Sequence, residues 1–239
     1  MKRCVVNVGT KGYWVGSKRL GELLEKLGNC DYLSWTDFPA EWPRHEDTPY
    51  AFKAYALMEA KRRGYELLLW ADSAVIPIRP MEPLWEKIER EGYWMAINGW
   101  TNYEWTADSA YPDLFPGIPI EEARDKNKQF PQILATSFGL NLTNPTGREF
   151  LRQYYALAQT KAFCGPWGNT ASPNGPKYHP DMMGECGPPD VLGHRHDQTA
   201  ASVIAWRIGM HLTGCPEIFA YKDPLKEPDP RTILLAVGA

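Results

Sequence analysis

The chain has 239 residues, of which 44% are hydrophobic and 23% charged, which is the balance of an ordinary globular protein with a sizeable core. Its formal net charge of -3 gives no overall attraction to nucleic acid or anionic lipid, so a nucleic-acid partner would require a local basic groove. No apolar run approaches the roughly 20 residues of a membrane-spanning helix, and the first residues enter a strand-like segment without the apolar stretch of a signal peptide.

The cysteines are odd in number, widely spaced and without a CxxC pair. This pattern disfavours both a structural zinc site and a disulfide framework. We therefore expect a reduced, cytoplasmic protein without membrane insertion. The cysteines concerned are Cys4, Cys30, Cys164, Cys186 and Cys215.

The first segments alternate between strand and helix signals. Val5–Gly9 is a short apolar run ending at glycine, which predicts a buried first strand. Leucines at helical spacing predict a helix that Ser17 caps and Gly28 ends. Asp31–Trp35 predicts a second strand. This opening is a βαβ unit, from which a parallel sheet with crossover helices follows.

The alternation continues through the middle of the chain. A helix is predicted from Tyr50 to Lys61, and the most strand-like stretch of the sequence, Tyr65–Trp70, comes next. Pro83–Arg90 predicts a short helix and Tyr93–Ile97 another strand. The sequence therefore predicts an α/β fold with a mixed, mainly parallel sheet flanked by helices.

The later segments keep this pattern but include one long irregular stretch. Ser137–Leu142 predicts a strand and Pro145–Gln159 a helix, and a further helix opens at His196. Between them, Gly165–Gly193 is rich in Gly and Pro and has no periodicity, which is typical of a lid or a binding loop. No domain boundary is evident, so residues 1–239 are predicted to form a single domain.

Polar residues that follow strands are the first candidates for a site, because ligands of open α/β sheets gather at the carboxyl ends of the strands. Gly9–Tyr13 follows the first strand, Asp72 and Ser73 follow the central one, and His196–Gln198 follows the long loop. Asp72 is the most informative, since no helix pattern begins there for it to cap. Its carboxylate is suited to hold a divalent cation that bridges a diphosphate.

Three segments together resemble the GT-A class of nucleotide-sugar glycosyltransferases. Gly64–Trp85 (GYELLLWADSAVIPIRPMEPLW) resembles the hydrophobic strand and the DxD-containing turn of those enzymes. Phe138–Leu151 (FGLNLTNPTGREFL) is similar to their acceptor-side strand and helix. His196–Met210 (HDQTAASVIAWRIGM) is similar to the Asp-Gln helix found late in several such families. The segments follow the same order over about residues 1–220.

The resemblance implies a GT-A-like hexosyltransferase whose donor is a nucleoside-diphosphate sugar such as a UDP-sugar. It divides the chain into a nucleotide-sugar-binding half, 1–98, an acceptor-side half, 99–222, and a C-terminal tail, 223–239. Donor binding is implied for Gly9, Thr10, Tyr13, Arg19, Lys53, Asp72 and Ser73. Catalysis is assigned to Asp197 and Gln198, and acceptor binding to Trp100, Tyr103, Trp105, Gly139 and Asn141.

The central turn departs from the DxD pattern, because Ala74 stands where the second aspartate is expected. Two alternatives follow. Either Asp72 binds Mn²⁺ or Mg²⁺ with help from His196, or from His194 or Asp197, or cationic side chains stabilise the leaving diphosphate without a metal. The sequence leaves both open. It also leaves open inversion, for which Asp197 is the candidate base, and retention.

The acceptor hydroxyl is expected on a glycan, a lipid, a protein or a modified nucleobase in DNA. Trp100, Tyr103 and Trp105 carry rings that can stack on a sugar or a base, or can form a small cluster under the long loop. One alternative function is nucleotidyl transfer, for which Gly9–Gly12 is too sparse a phosphate loop. Another is a non-catalytic sugar-binding or nucleotide-binding protein, although such modules are commonly β-sandwiches.

Overall fold

The strands and helices are those of a computed structural model, which describes residues 1–176, 182–214 and 217–238. The strands are β1 Arg3–Val8, β2 Asp31–Trp35, β3 Leu67–Ala71, β4 Val75–Pro77, β5 Tyr93–Thr101, β6 Pro131–Asn141, β7 Gly168–Asn169, β8 Met183–Gly184, β9 Thr213–Gly214, β10 Phe219–Tyr221 and β11 Leu234–Ala236. The α-helices are α1 Trp14–Leu27, α2 Phe52–Arg62, α3 Glu82–Glu91, α4 Tyr111–Leu114, α5 Ile120–Asn127, α6 Pro145–Leu157 and α7 His196–Arg207.

The central sheet has the strand order β2-β1-β3-β6-β5-β9. Strand β6 runs antiparallel to both of its neighbours, whereas every other neighbouring pair is parallel. All five residues of β3 are buried, as a central strand covered on both faces requires. The predicted α/β fold class with a mixed, mainly parallel sheet is confirmed.

Helices cover both faces of this sheet, and the alternation of side chains along the strands explains how. Leu67 and Leu69 of β3 belong to the same apolar cluster as Leu24 of α1 and Ile88 of α3. The intervening Leu68 belongs to a second, larger cluster on the other face. That cluster includes Leu57 of α2, Phe150 of α6 and Ile204 of α7.

Two helices begin at different residues from those predicted. The chain after β1 forms a helical turn at Lys11–Tyr13 that leads directly into α1, so this helix begins before Ser17. The Ser17 hydroxyl lies 2.8 Å from the hydroxyl of Tyr32 rather than capping a helix. Helix α2 begins after Tyr50, whose backbone has a positive φ of 60° and cannot be helical.

A second sheet joins segments that the sequence patterns did not connect. Strands β10, β11 and β4 pair in that order, and β11 comes from the segment predicted as a C-terminal tail. The backbone N–H of Val237 also donates to the carbonyl of Ala74. The described part of this segment is therefore packed against the turn that carries Asp72. Residue 239 and residues 177–181 of the predicted Gly/Pro-rich loop lie outside the described residues, as does Cys215.

No helix in the described ranges combines the length and the apolar character needed to cross a membrane.

Candidate functional site

The candidate site lies at the carboxyl end of β3, where four elements meet. Strand β3 ends at Ala71, and the next residue, Asp72, donates its backbone N–H to the carbonyl of Thr136 in β6. Strand β6 is irregular here, since its pairing with β5 shifts register between Ile133 and Phe138. This bulge turns backbone groups of β6 toward α2 and α7, which approach the same edge of the sheet.

Lys53 is the centre of the site. Its side chain is only 3% exposed, and its ammonium nitrogen lies 3.1 Å from Oδ1 of Asp72 and 3.1 Å from Oδ2 of Asp197. The ammonium also donates to the carbonyl of Ala135, at 2.9 Å. Because an ammonium has three hydrogens, these three oxygens account for all of its donors. Burial opposes the charge, but Asp197 and Asp72 outweigh it and raise the pKa of Lys53.

The two carboxylates held by Lys53 differ in access. Asp72 is 33% exposed, and its Oδ1 also accepts a hydrogen bond of 2.7 Å from the indole N–H of Trp70. Asp197 is 5% exposed, and its Oδ2 also accepts from the hydroxyl of Tyr154, at 3.1 Å. Burial raises the pKa of Asp197 to about 6, although Lys53 acts in the opposite direction. Asp72 is therefore the carboxylate that a ligand from solvent meets first.

Two buried histidines lie at the start of α7. His194 accepts from the backbone N–H of Ala107 through Nδ1, so its Nε2–H donates to the carbonyl of Ala162. Nδ1 of His196 lies 3.0 Å from the carbonyl of Phe163 and donates to it, while its Nε2 has no partner among the described residues. Burial lowers the pKa of His194 to about 3 and that of His196 to about 4, so both rings are neutral at pH 7.

Gln198, predicted to be catalytic, is tied into the protein at both ends of its amide. Its Oε1 accepts from the backbone N–H of Ala135, and its Nε2 donates to Oε1 of Gln132. Together with Lys53, which binds the carbonyl of the same alanine, Gln198 fixes the β6 bulge. Its contacts are those of a residue that positions the site.

The residues predicted to bind the donor after β1 do lie at this edge of the sheet. Gly9 packs so closely that an added Cβ would lie 2.6 Å from Cβ of Ser17 and 3.0 Å from Oγ of Ser73. Ser73 itself is buried, with its Oγ 3.4 Å from Oδ1 of Asn7. Thr10 is half-buried, and Tyr13 is exposed. This loop and the Asp72 turn therefore form one continuous surface.

Arg19 also reaches this turn. Its guanidinium donates to the carbonyl of Gly238, at 2.6 Å, and to that of Ser73, at 3.5 Å. The predicted cation of α1 thus joins the Asp72 turn to the C-terminal segment. The ammonium of Lys53, the other predicted cation, directs all three of its hydrogens to oxygens of the protein.

The aromatic residues of the predicted acceptor side separate into exposed and buried rings. Trp100 is 41% exposed, whereas Tyr103 and Trp105 are buried. The hydroxyl of Tyr103 donates to the carboxylate of Asp190, at 2.9 Å. Trp100 and Trp105 lie 5.0 Å apart between ring centroids. Of these three rings, Trp100 is the one that offers a face to a ligand.

Gly139 and Asn141 are not brought to this site. In the pairing of β3 with β6, Ser137 lies opposite Ala71 at the end of β3, while Asn141 lies opposite Leu67 at its beginning. Gly139 packs beneath Ile88 of α3, where an added Cβ would come within 2.3 Å of the isoleucine side chain. These two residues lie toward the other end of the sheet and take no part in the function proposed below.

Sequence patterns did not single out Arg195, which lies next to the histidine pair. Its guanidinium carbon lies 4.0 Å from the ring centroid of Trp105 and 4.3 Å from that of Trp167, within the range of cation–π contacts. The ring of Trp167 also stacks on His196, at 5.9 Å between centroids. The two tryptophans are far from each other and from Arg195 in the sequence, so the cluster leaves no periodic pattern there. It becomes visible only in the folded structure.

The described side chains do not fit a bound divalent cation, which needs several oxygen or nitrogen ligands around one point. Ala74 replaces the second aspartate of the turn, and Oδ1 of Asp72 already accepts from Lys53 and Trp70. Within the described ranges, no three His, Cys, Asp or Glu side chains are grouped as metal ligands. Among the residues that the structure describes, the predicted pair of Asp72 and His196 therefore lacks the further ligands that it would need.

Comparison with solved structures shows a likeness at the level of the fold. The chain is similar to the "crystal structure of a glycosyltransferase involved in the glycosylation of the major capsid of PBCV-1", with a TM-score of 0.54 and 13% sequence identity. The likeness covers 99% of this chain and 93% of that chain. No protein-family model and no curated protein matches the sequence. The chain thus shares its overall fold with a glycosyltransferase. At 13% sequence identity this likeness is evidence for the fold alone.

Proposed function

We propose that this protein is a glycosyltransferase that moves a sugar from a nucleoside-diphosphate sugar to an acceptor hydroxyl. One observation carries the proposal: Lys53 holds two carboxylates, Asp72 and Asp197, at the carboxyl edge of the sheet. In open α/β folds this edge is where ligands bind. The fold shared with a glycosyltransferase supports the same conclusion.

The donor is proposed to lie along the surface formed by the loop after β1 and the Asp72 turn. Thr10 and the exposed ring of Tyr13 line one side of this surface, and the one-third-exposed carboxylate of Asp72 lines the other. Asp72 accepts hydrogen bonds from hydroxyl groups of the donor. Arg19, at the carbonyl of Ser73, is the cation of α1 nearest to the leaving diphosphate.

In the transfer step, a bond forms between the acceptor oxygen and the anomeric carbon. The bond from that carbon to the phosphate oxygen breaks, and the hydroxyl proton passes to a base. Asp197 is proposed as this base because its pKa of about 6 is close to neutral pH, where a general base works best. The exposed ring of Trp100 offers a stacking face, which favours a saccharide as the carrier of the acceptor hydroxyl.

Binding of UDP-, GDP- and ADP-sugars, followed by thermal unfolding, tests the proposal. One of them should raise the melting temperature of the wild type in proportion to its occupancy. Asp72→Asn should lose this increase. Asp197→Asn should keep it and lose about 100-fold or more in the release of nucleoside diphosphate, as expected for the loss of a general base.

Asp125→Asn is the matched control, because Asp125 is an exposed carboxylate of α5 paired only at 3.8 Å with Lys128. It should bind and turn over the donor like the wild type. If no nucleotide sugar raises the melting temperature, or if the bound donor is cleaved to a nucleoside monophosphate and a sugar phosphate in place of a nucleoside diphosphate, glycosyl transfer is the wrong function. If Asp72→Asn loses turnover but Asp197→Asn does not, the base is Asp72.

A further inference from the structure

The Lys53 ammonium is the meeting point of three separate elements. Lys53 lies in the first turn of α2, Asp72 follows β3, and Asp197 lies in the first turn of α7. One oxygen of each carboxylate lies 3.1 Å from the same nitrogen atom. The carbonyl of Ala135 completes the set at 2.9 Å. Three oxygens around one buried positive charge form the kind of cage that otherwise surrounds a metal ion.

The walls of this cage also suit a fixed ammonium. The ring centroid of Tyr50 lies 5.2 Å from the nitrogen and that of Trp70 lies 5.4 Å away, within the range of cation–π attraction. Two carboxylates held close together, one of them buried, repel each other unless one is protonated or a positive charge lies between them. Lys53 supplies it with full hydrogen bonding, and the same charge repels any second cation that approaches Asp72.

We propose that Lys53 is a built-in cation that occupies the place of a divalent metal between Asp72 and Asp197, so that a nucleoside-diphosphate sugar binds without metal. The statement about the nucleotide sugar rests on the proposed function, whereas the exclusion of a metal by Lys53 does not. Lys53 is a positioning residue in this arrangement. Its three hydrogens stay on protein oxygens, and it fixes both the partly exposed carboxylate of Asp72 and the buried carboxylate of Asp197.

Binding of Mn²⁺ alone to the full chain tests the exclusion. It is measured by the loss of the electron paramagnetic resonance signal of free Mn²⁺ on titration with protein. The wild type should bind no Mn²⁺ at millimolar concentration. Lys53→Ala should gain one bound Mn²⁺, because it leaves two carboxylates and a carbonyl facing an empty place. Lys126→Ala, which removes a half-buried surface lysine paired with Glu122 in α5, should behave like the wild type.

The double variant Lys53→Ala/Asp197→Asn separates metal binding from misfolding. It removes one negative charge together with the positive one, so it should fold and should bind Mn²⁺ more weakly than Lys53→Ala. If the wild type binds Mn²⁺ and Asp72→Asn abolishes that binding, the proposal is overturned. A folded Lys53→Ala that takes up no Mn²⁺ overturns it as well. If Lys53→Ala does not fold, the titration of the wild type with Mn²⁺ decides the test: no binding supports the proposal, and binding that Asp72→Asn abolishes overturns it.

Donor binding provides the second arm. The increase in melting temperature caused by the nucleotide sugar should be the same in EDTA as in Mn²⁺, after correction for metal bound to the free nucleotide. An increase seen only with Mn²⁺ contradicts the proposal. If no nucleotide sugar binds in either buffer while the Mn²⁺ results hold, the proposed function fails and the role of Lys53 stands.

Discussion

Tyr50 and His196 have left-handed backbones, with φ of 60° and 48°, and their rings lie 5.6 Å apart. Each stands where a site helix begins, α2 after Tyr50 and α7 at His196. Residues other than glycine seldom adopt this conformation, and where they do, the strain is often found at functional sites. The two strained residues flank the place where Lys53 meets Asp197. The packing around the site therefore fixes their backbones.

This backbone conformation leads to a prediction for two substitutions of His196. Asparagine is well tolerated at positive φ, and its side-chain amide can donate to the carbonyl of Phe163 as Nδ1 does. His196→Asn should therefore unfold in urea within about 1 kcal/mol of the wild type, whereas His196→Leu leaves that carbonyl without its donor and should lose about 1–3 kcal/mol. Equal losses for the two variants would show that neither the backbone nor the hydrogen bond matters here.

For individual residues, the sequence predicted several members of the candidate site but not the contacts between them. Asp72, Asp197 and Lys53 were each identified from their position after a strand or on a helix. Their meeting depends on α2, β3 and α7 approaching one another over long stretches of chain, which no local pattern encodes. For the same reason Lys53 was predicted to bind a diphosphate, whereas its donors are satisfied by the protein. The roles assigned to the three side chains remain predictions.

Helix α1 touches the Asp72 turn through a glycine. A Cβ added at Gly16 would lie 2.2 Å from the carbonyl oxygen of Ser73, which is a backbone atom and cannot move aside cheaply. The absence of a side chain therefore lets the helix approach the turn that presents Asp72. Spacing of leucines predicted the helix, but this contact involves a residue far along the chain.

Gly16→Ala and Gly12→Ala form a matched pair that tests this contact. Alanine within a helix is usually favourable by up to roughly 0.5–1 kcal/mol relative to glycine, so stabilisation is the default expectation at Gly16, in the first turn of α1. The clash with Ser73 should reverse the sign and cost about 1–3 kcal/mol, as overpacking does. A Cβ at Gly12 meets nothing within 4 Å, so that variant should be as stable as the wild type or more stable by up to about 1 kcal/mol. A stabilised Gly16→Ala would contradict the close packing.

The elements that sequence patterns missed are short or depend on distant partners. Strands β4, β10 and β11 have three residues each, too few for a period of two to be recognised. They form a sheet only because the C-terminal segment returns to the turn after β3. Elements with a strong local signal were predicted within a few residues of their bounds: the helical periodicity of α6 and the continuous apolar run of β3.

For the molecule as a whole, the predicted order of strands and helices was enough to give the α/β class, because alternating elements allow few topologies. It did not give the polar interior of the half predicted to lie on the acceptor side. Asn102, Asn127 and Gln132 are fully buried, and Asn102 donates to the side chain of Asn127 at 2.9 Å. Such residues look like surface residues in a sequence, since their partners come from separate elements.

The buried histidines and Asp197 give the whole molecule a dependence on pH whose sign can be worked out. The pKa values of His194 and His196 fall from 6.5 to about 3 and about 4, so between pH 4 and 6.5 the unfolded chain binds more protons than the folded one. Each histidine then removes about 1.4 kcal/mol of stability per unit of falling pH. The pKa of Asp197 is raised from 3.8 to about 6, so Asp197 acts oppositely below pH 6.

The net effect of these three groups is a loss of about 1.4 kcal/mol as the pH falls from 6 to 5, since two histidines outweigh one carboxylate. Asp197→Asn removes the opposing group and should roughly double this loss, whereas His194→Gln removes one histidine and should nearly abolish it. Urea unfolding of the wild type and both variants at pH 6 and pH 5 measures these differences, and groups common to all three proteins cancel. If Asp197→Asn leaves the dependence unchanged, then Asp197 is ionised in the folded protein throughout this range. Its pKa would then lie too low for the proton transfer proposed for it.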